Sequence, residues 1–210
     1  MNDSLNLNLF FRFIPCAAKG WPHLALTGES VCWEALDDRA AYKRKVLGAL
    51  RRSCSLAGWI LAGVDFSGED FRGADLFSAC LARCDFSRAD LSGANLSHAH
   101  LEAAILREAN LAEANLEFAI LGRADLRRAN LAGARLQRSN LVGVLAQEAD
   151  CSRAMFYYSR PGNADFSRSV FYGADITRAI FRRARLIGAD LSGAIGTANF
   201  ENADLTGAKR

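Results

Sequence analysis

His98 and His100, two residues apart, are the first candidates for chemistry in this sequence of 210 residues. Two imidazoles can begin a metal site, but a divalent ion needs further ligands, and the neighbours Ser97 and Ala99 supply none. Six cysteines (Cys16, Cys32, Cys54, Cys80, Cys84, Cys151) form no CxxC pair and no zinc-ligand spacing. No nucleophile is paired with a base, and no phosphate-cradling glycine loop occurs. The expectation is therefore no catalytic, cofactor-binding or metal-binding residue, and no enzyme activity. What remains is recognition. Arg83, Arg123, Arg160, Arg182 and Arg183, with Phe77, Phe118, Tyr157 and Tyr158, are the residue types that dominate protein interfaces.

The element that positions these residues is a strict five-residue period. A large apolar residue, the centre, falls at Leu76, Leu81, Phe86, Leu91 and every fifth position to Leu191. The exceptions are Ala146, Cys151 and Pro161. Two residues before each centre the residue is usually Ala. Such a period is read before any helix or strand assignment. Neither an α-helix nor a plain strand keeps a five-residue stripe on one face, so the chain must turn once per unit. The centre and the Ala before it then point inward, and four units with their four corners close one square coil. Gly two past a centre, as at Gly93 and Gly133, suits a corner with unusual backbone angles. Asp or Asn just before a centre suits local bonds to turn amides.

ADLSGANL at 89–96 and ADLSGA at 189–194 resemble the consensus of the pentapeptide-repeat family, close to A(D/N)LXX. The resemblance covers about residues 64–208. It implies an all-β solenoid, a right-handed quadrilateral β-helix, and it implies little about function because most members are uncharacterised bacterial proteins. The segment 1–53 is non-repeat and the repeat occupies 54–208. Three irregularities are expected. Val144, Leu145 and Ala146 exchange volumes within one unit. A loop replaces one wall at 157–163, around Pro161. One residue is dropped near the end, where Leu191, Ile195, Phe200 and Leu205 are read as successive centres.

Charge adds a division between the two parts. The net charge is +3; residues 1–63 carry 8 basic and 5 acidic groups, and residues 64–210 carry 18 of each. Residues 33–53 read as an amphipathic helix, about 34–52, with Leu36, Ala40, Val46, Leu47 and Leu50 on one face. Its basic end suits a helix C-terminus, and its expected role is to cap the first coil. A nucleic-acid contact through this basic helix is the lesser alternative, and nucleic acid is not the expected partner. The apolar LFFRFI near the start of the chain is expected to pack against the cap or first coil. Arg12 interrupts that run, which argues against a secretory signal. No run is long enough to span a bilayer, and the cysteine usage fits a reducing cytoplasm.

Residues four units apart should stack, which turns the repeat into four surface walls. Arg88, Glu108, Arg128, Glu148 and Arg168 fall in one column and predict a salt-bridge ladder. The wall of Leu81, Leu101 and Leu121 carries Arg83, Arg123, Arg160, Arg182 and Arg183 against Glu102 alone, and the opposite wall carries six acids against two arginines. On the basic wall the usual Asp or Asn is mostly lost, reading Cys80, His100, Ile120, Asn140, Arg160, Ile180. Phe77, His98, Phe118, Tyr157 and Tyr158 lie just across the corner. The expected function is a rigid, non-enzymatic scaffold whose basic corner meets an acidic protein surface, with a possible homodimer through the C-terminal coil. The family resemblance also brings an alternative, a DNA-mimic protein that interacts with gyrase, like the quinolone-resistance members. The charge balance of the coil and the absence of a C-terminal helix weigh against it.

Overall fold

The computed structural model describes residues 35–53 and 55–210. The one α-helix among the described residues, α1 (Arg39–Arg51), begins where the Asp38 side chain accepts a hydrogen bond from the Ala41 N–H at 2.7 Å. That cap satisfies an otherwise orphaned donor and moves the start from the expected residue 34 to Arg39. The buried stripe of α1 is Tyr42, Val46 and Ala49, with Leu47 and Leu50 partly buried beside it. Ala40, expected on that stripe, is exposed. The stripe joins the same apolar cluster as Leu56, Leu61 and Phe66. Lys43 also pairs with Glu69 at 3.0 Å, which accounts for an acid at a position the repeat reserves for Ala. The LFFRFI segment, Cys16, Cys32 and Cys54 lie outside the described residues.

After α1 the chain winds. Parallel bridges join the residue before each centre to its equivalent one coil on, as in Cys80↔His100, His100↔Ile120 and Ile120↔Asn140. Four bridges and four turns fall in each coil, which gives four walls, each held by one-residue bridges rather than longer strands. In each turn the centre's carbonyl accepts from the N–H three residues on, as Leu76 does from Ala79 at 3.0 Å. Every residue two past a centre from Gly58 to Gly193 has a positive φ, the mark of a type II turn. Most of these residues are not glycine, and each non-glycine in that conformation costs about 1–2 kcal/mol. Burying one Leu contributes about 1.5–3 kcal/mol, and the centres from Leu76 to Leu126 are all fully buried, so axis packing outweighs the turn. Asp and Asn relieve the turn as expected: Asp85 accepts from the Ser87 N–H at 2.8 Å and Asp90 from that of Ser92 at 3.0 Å.

Two of the expected irregularities differ in the structure. No loop leaves the coil at Pro161. Pro161 is buried at its centre position, and Asn140↔Arg160 and Leu145↔Asp165 continue the walls on either side of it. The ring has no N–H, so one bond of the ladder, to the Ile180 carbonyl, is missing; the loss of one such bond, about 1 kcal/mol, does not break a wall. Ile195 is not a centre. It bridges to Asp175 as a residue before a centre does, it is 58% exposed, and Gly196 takes the centre's place. A Cβ on Gly196 would lie 1.9 Å from Thr177 Oγ1, so no side chain fits there. The dropped residue comes from the turn after Gly196, and from Ile180↔Asn199 onward the bridge interval is 19.

The three small centres are compensated within their own columns. Ala146, Cys151 and Pro161 are each followed one coil later by a phenylalanine, Phe166, Phe171 and Phe181, all fully buried. Those rings also pack on one another, with Phe166–Phe171 centroids 5.3 Å apart and Phe171–Phe181 5.8 Å apart. No helix among the described residues is long and apolar enough to cross a membrane.

Candidate interaction surface

The axis is filled, so the grooves lie between surface side chains. One of about 530 Å³ runs beside α1 among Leu47, Leu50, Asp70 and Asp75, and another lies among Arg107, Glu108, Arg128 and Glu148. Among the described residues no three His, Cys, Asp or Glu side chains group to hold a metal ion. Cys80, Cys84 and Cys151 are buried free thiols. Burial pushes all three upward in pKa, Cys84 and Cys151 most, which denies them thiolate character at neutral pH.

Most surface charge is consumed internally. In the expected ladder Arg88 meets Glu108 at 3.0 Å, and Glu148 is held by Arg128 at 2.9 Å and Arg168 at 2.7 Å. Those arginines hold the Glu148 carboxyl below its ordinary range, chiefly through the Arg128 hydrogen bond. Asp125, nearly buried, is gripped by Arg107 at 2.5 Å and Arg127 at 2.7 Å. The opposite, acidic wall is largely neutralised too: Arg72 meets Asp70 at 2.6 Å, Lys43 meets Glu69, and Lys209 lies 3.7 Å from Asp190. Lys43 lies in α1 and Lys209 stacks on Asp190 beyond residue 193, where the charge count stops, so that count overstated the wall's acidity.

The basic corner is different. Arg123, Arg160 and Arg183 are exposed and have no carboxylate partner among the described residues, and Arg182 has Glu201 at 3.4 Å. Arg83 is exposed as well, and His100 and Ile120 are half-buried at bridge positions of the same wall, while Ile180 is 40% exposed. Across the corner the rings form a column. Phe77 meets His98 edge-on at 5.5 Å, and His98 stacks on Phe118 at 4.8 Å. Arg138 then lies 5.5 Å from the Phe118 centroid, and Arg178 lies 5.1 Å from that of Tyr158. Tyr157 contacts Tyr158 edge-on at 4.5 Å. Arg138 and Arg178 were missed in the sequence, although each stands one coil after an aromatic of the set, the repeat's own stacking interval. His98 is engaged with the rings of Phe77 and Phe118.

This geometry defines a solenoid whose side chains offer surfaces for contact. The model of the family described as pentapeptide repeats matches in eight copies, over residues 52–93, 70–108, 84–121, 109–145 and 162–195. The chain belongs to the pentapeptide-repeat family. The stretch left unmatched, 146–161, is where Ala146, Cys151 and Pro161 replace the usual centre, and the structure continues the coil through it. Among solved structures the chain is similar to HetL, a pentapeptide repeat protein involved in heterocyst differentiation regulation from the cyanobacterium Nostoc sp. strain PCC 7120. The identity is 26%, over 83% of this chain and 92% of that one, with a TM-score of 0.52. It is also similar to a pentapeptide repeat protein of the Arabidopsis thaliana thylakoid lumen, at 24% identity over 57% of this chain and 66% of that one, with a TM-score of 0.36. QnrB1, a plasmid-mediated fluoroquinolone resistance protein, aligns at 21% identity over 71% of this chain and 88% of that one, with a TM-score of 0.40. No curated protein matches.

Proposed function

We propose that this chain is a non-enzymatic scaffold, a right-handed quadrilateral β-helix over residues 54–208 closed at one end by α1, that presents its basic corner to an acidic surface of a protein partner. The observation that carries this reading is selective pairing. Arg72, Arg88, Arg107, Arg127, Arg128, Arg135, Arg168 and Arg185 each meet a carboxylate of the same chain, whereas Arg123, Arg160 and Arg183 meet none. Arg153, on the opposite wall, is likewise unpaired, but it stands among acids and alone. The planar fork of a guanidinium loses less entropy per hydrogen bond to a carboxylate than a flexible ammonium does, and the attraction of unpaired guanidiniums steers an acidic partner into place. Involvement of HetL in regulating differentiation accords with a role exercised through contact. The buried free thiols suit a reducing compartment, and we place the protein in the cytoplasm. The test is capture of partners by the wild type, Arg123→Glu and Phe118→Ala, with identification by mass spectrometry. Loss of the same partners in both variants is expected; retention of every partner by both would refute the corner as the site.

A further inference from the structure

We infer that the occupant of the basic wall is an extended acidic peptide segment whose carboxylates cap the turn amides of Gly122 and Gly162; this rests on the basic-corner reading above. On the other walls the turn amide just after a centre is often capped from within, as Asp85 caps Ser87 and Asn110 caps Ala112 at 3.2 Å. On the basic wall the capping position holds Ile120 before Gly122 and Arg160 before Gly162, so neither amide has an acceptor among the described residues. Between them Asn140 still caps Val142 at 3.2 Å.

The amides of Gly122 and Gly162, unlike the likewise uncapped amide of Arg182 on this wall, also carry no side chain. Gly122 and Gly162 are the only glycines directly after a centre anywhere in the repeat, and neither has the positive φ that would call for glycine. A Cβ on Gly162 would come within 3.4 Å of the Arg182 carbonyl, so crowding contributes there. At Gly122 the nearest atom to such a Cβ is the Val142 carbonyl at 3.8 Å, an ordinary contact, so internal packing does not explain the glycine. What a missing Cβ permits is close approach of another molecule to the N–H. A carboxylate arriving at Gly122 also meets Arg123, and one at Gly162 meets Arg160, both unpaired, which makes each bond charge-assisted. The two amides are two coils apart, roughly 10 Å, or about three residues of extended chain. Exposed Val142 between them offers an apolar contact.

Single-stranded nucleic acid fits this wall less well. Bases need free aromatic faces, and the rings beside the wall are already engaged: Phe118 by His98 and Arg138, and Tyr158 by Arg178.

The experiment is fluorescence anisotropy with a labelled peptide carrying Glu at every third position among serines, against the same peptide with Gln for Glu and a labelled oligothymidylate. The full-length protein is expected to bind the Glu peptide at least tenfold more tightly than either control, and to lose that affinity as salt is raised. Ile120→Asn restores the cap that Asn110 provides elsewhere and changes no charge; it is expected to weaken binding about tenfold with an unchanged melting temperature. Gly122→Val, fold-compatible because Val142 fills the equivalent place one coil on, is expected to do the same. If both variants bind like the wild type while Arg123→Glu does not, the amide-capping inference is overturned and the basic corner stands. If Arg123→Glu also binds unchanged, or the wild type ignores the Glu peptide, both fall. Equal affinity for the oligothymidylate would overturn the choice of a peptide.

Discussion

Replacing Cys151 by leucine restores the residue type the repeat prefers at a centre, and it is expected to destabilise the protein. Cys151 and Phe171 are fully buried and occupy successive coils of one column, joined by the Cys151 N–H bond to the Val170 carbonyl at 2.7 Å. A leucine at 151 would contest volume that the Phe171 ring fills, and overpacking of this kind costs about 1–3 kcal/mol. Phe171→Leu alone removes ring atoms and leaves a void beside a small thiol, at about 2 kcal/mol, roughly half the cost of truncating a buried Phe to Ala. Independent effects would sum to about 4 kcal/mol. In the double variant the two leucines share the space that Cys and Phe share now, so its cost should fall to about 2 kcal/mol, a coupling of about 2 kcal/mol in the range measured for contacting residues. Urea denaturation of the wild type, both single variants and the double variant closes the cycle. Additivity within about 0.5 kcal/mol would refute compensation within the column.

Leu121→Lys and Leu126→Lys each place an ammonium on a fully buried axis with no solvent or counter-ion, and loss of the cooperative melting transition is expected; a wild-type melt would contradict the inward centres. Gly196→Ala forces a Cβ to within 2.8 Å of the Thr177 Cα, so a cost above about 2 kcal/mol and faster amide exchange at Asn199 and Asp204 are expected; unchanged exchange would show that Gly196 does not hold the shortened turn in place. Stability should also fall in acid. The Arg72 hydrogen bond lowers Asp70 to about 2 from 3.8, and hydrogen bonds from Arg128, Ser192 and Thr206 lower Glu148, Asp190 and Asp204. Native carboxyls with depressed values bind fewer protons than the unfolded chain, so their contribution is complete above the ordinary values of 3.8 and 4.5 and is lost as pH falls toward about 2. A urea midpoint that stays constant from about pH 6 to about pH 2.5 would refute that assignment.

The coil was legible in the sequence because only a turn every fifth residue keeps Leu and Ala at fixed places on an inside surface. Its deviations were less legible for specific physical reasons. Pro161 reads as a break when judged by its missing N–H, but each coil is held by many bonds and a buried axis, and one absent bond leaves the wall standing. Ile195 reads as a centre because it is apolar and nearly in phase. The single-residue deletion could fall on either side of it, and the choice depends on a clash with Thr177 that only the folded chain reveals. α1 was found, but its start depended on whether Asp38 or an earlier residue capped it, and its buried face included Tyr42, which polarity alone assigns outward.

The proposed surface site was half legible, and the reason follows from the fold. Equivalent side chains of successive coils stand about 4.8 Å from each other, so any column of charges or rings pairs with itself. Charge counts per wall ignore that pairing: they include Glu69, Asp70 and Asp190, which are met by Lys43, Arg72 and Lys209, and leave out of the basic corner Arg138 and Arg178, which belong to the aromatic column across a corner. In such a fold a residue is available to a partner only where its column leaves it unmatched. Arg123 is followed in its column by Gly143, whose missing side chain lets the arginine stem lie over the next coil with no acid in reach. Arg160 occupies a position where the repeat would normally place a capping Asp or Asn, so one substitution both adds a cation and frees the Gly162 amide. The same departure from the repeat that weakens a turn thus creates a donor pair, and that coupling distinguishes the basic wall from the paired columns around it.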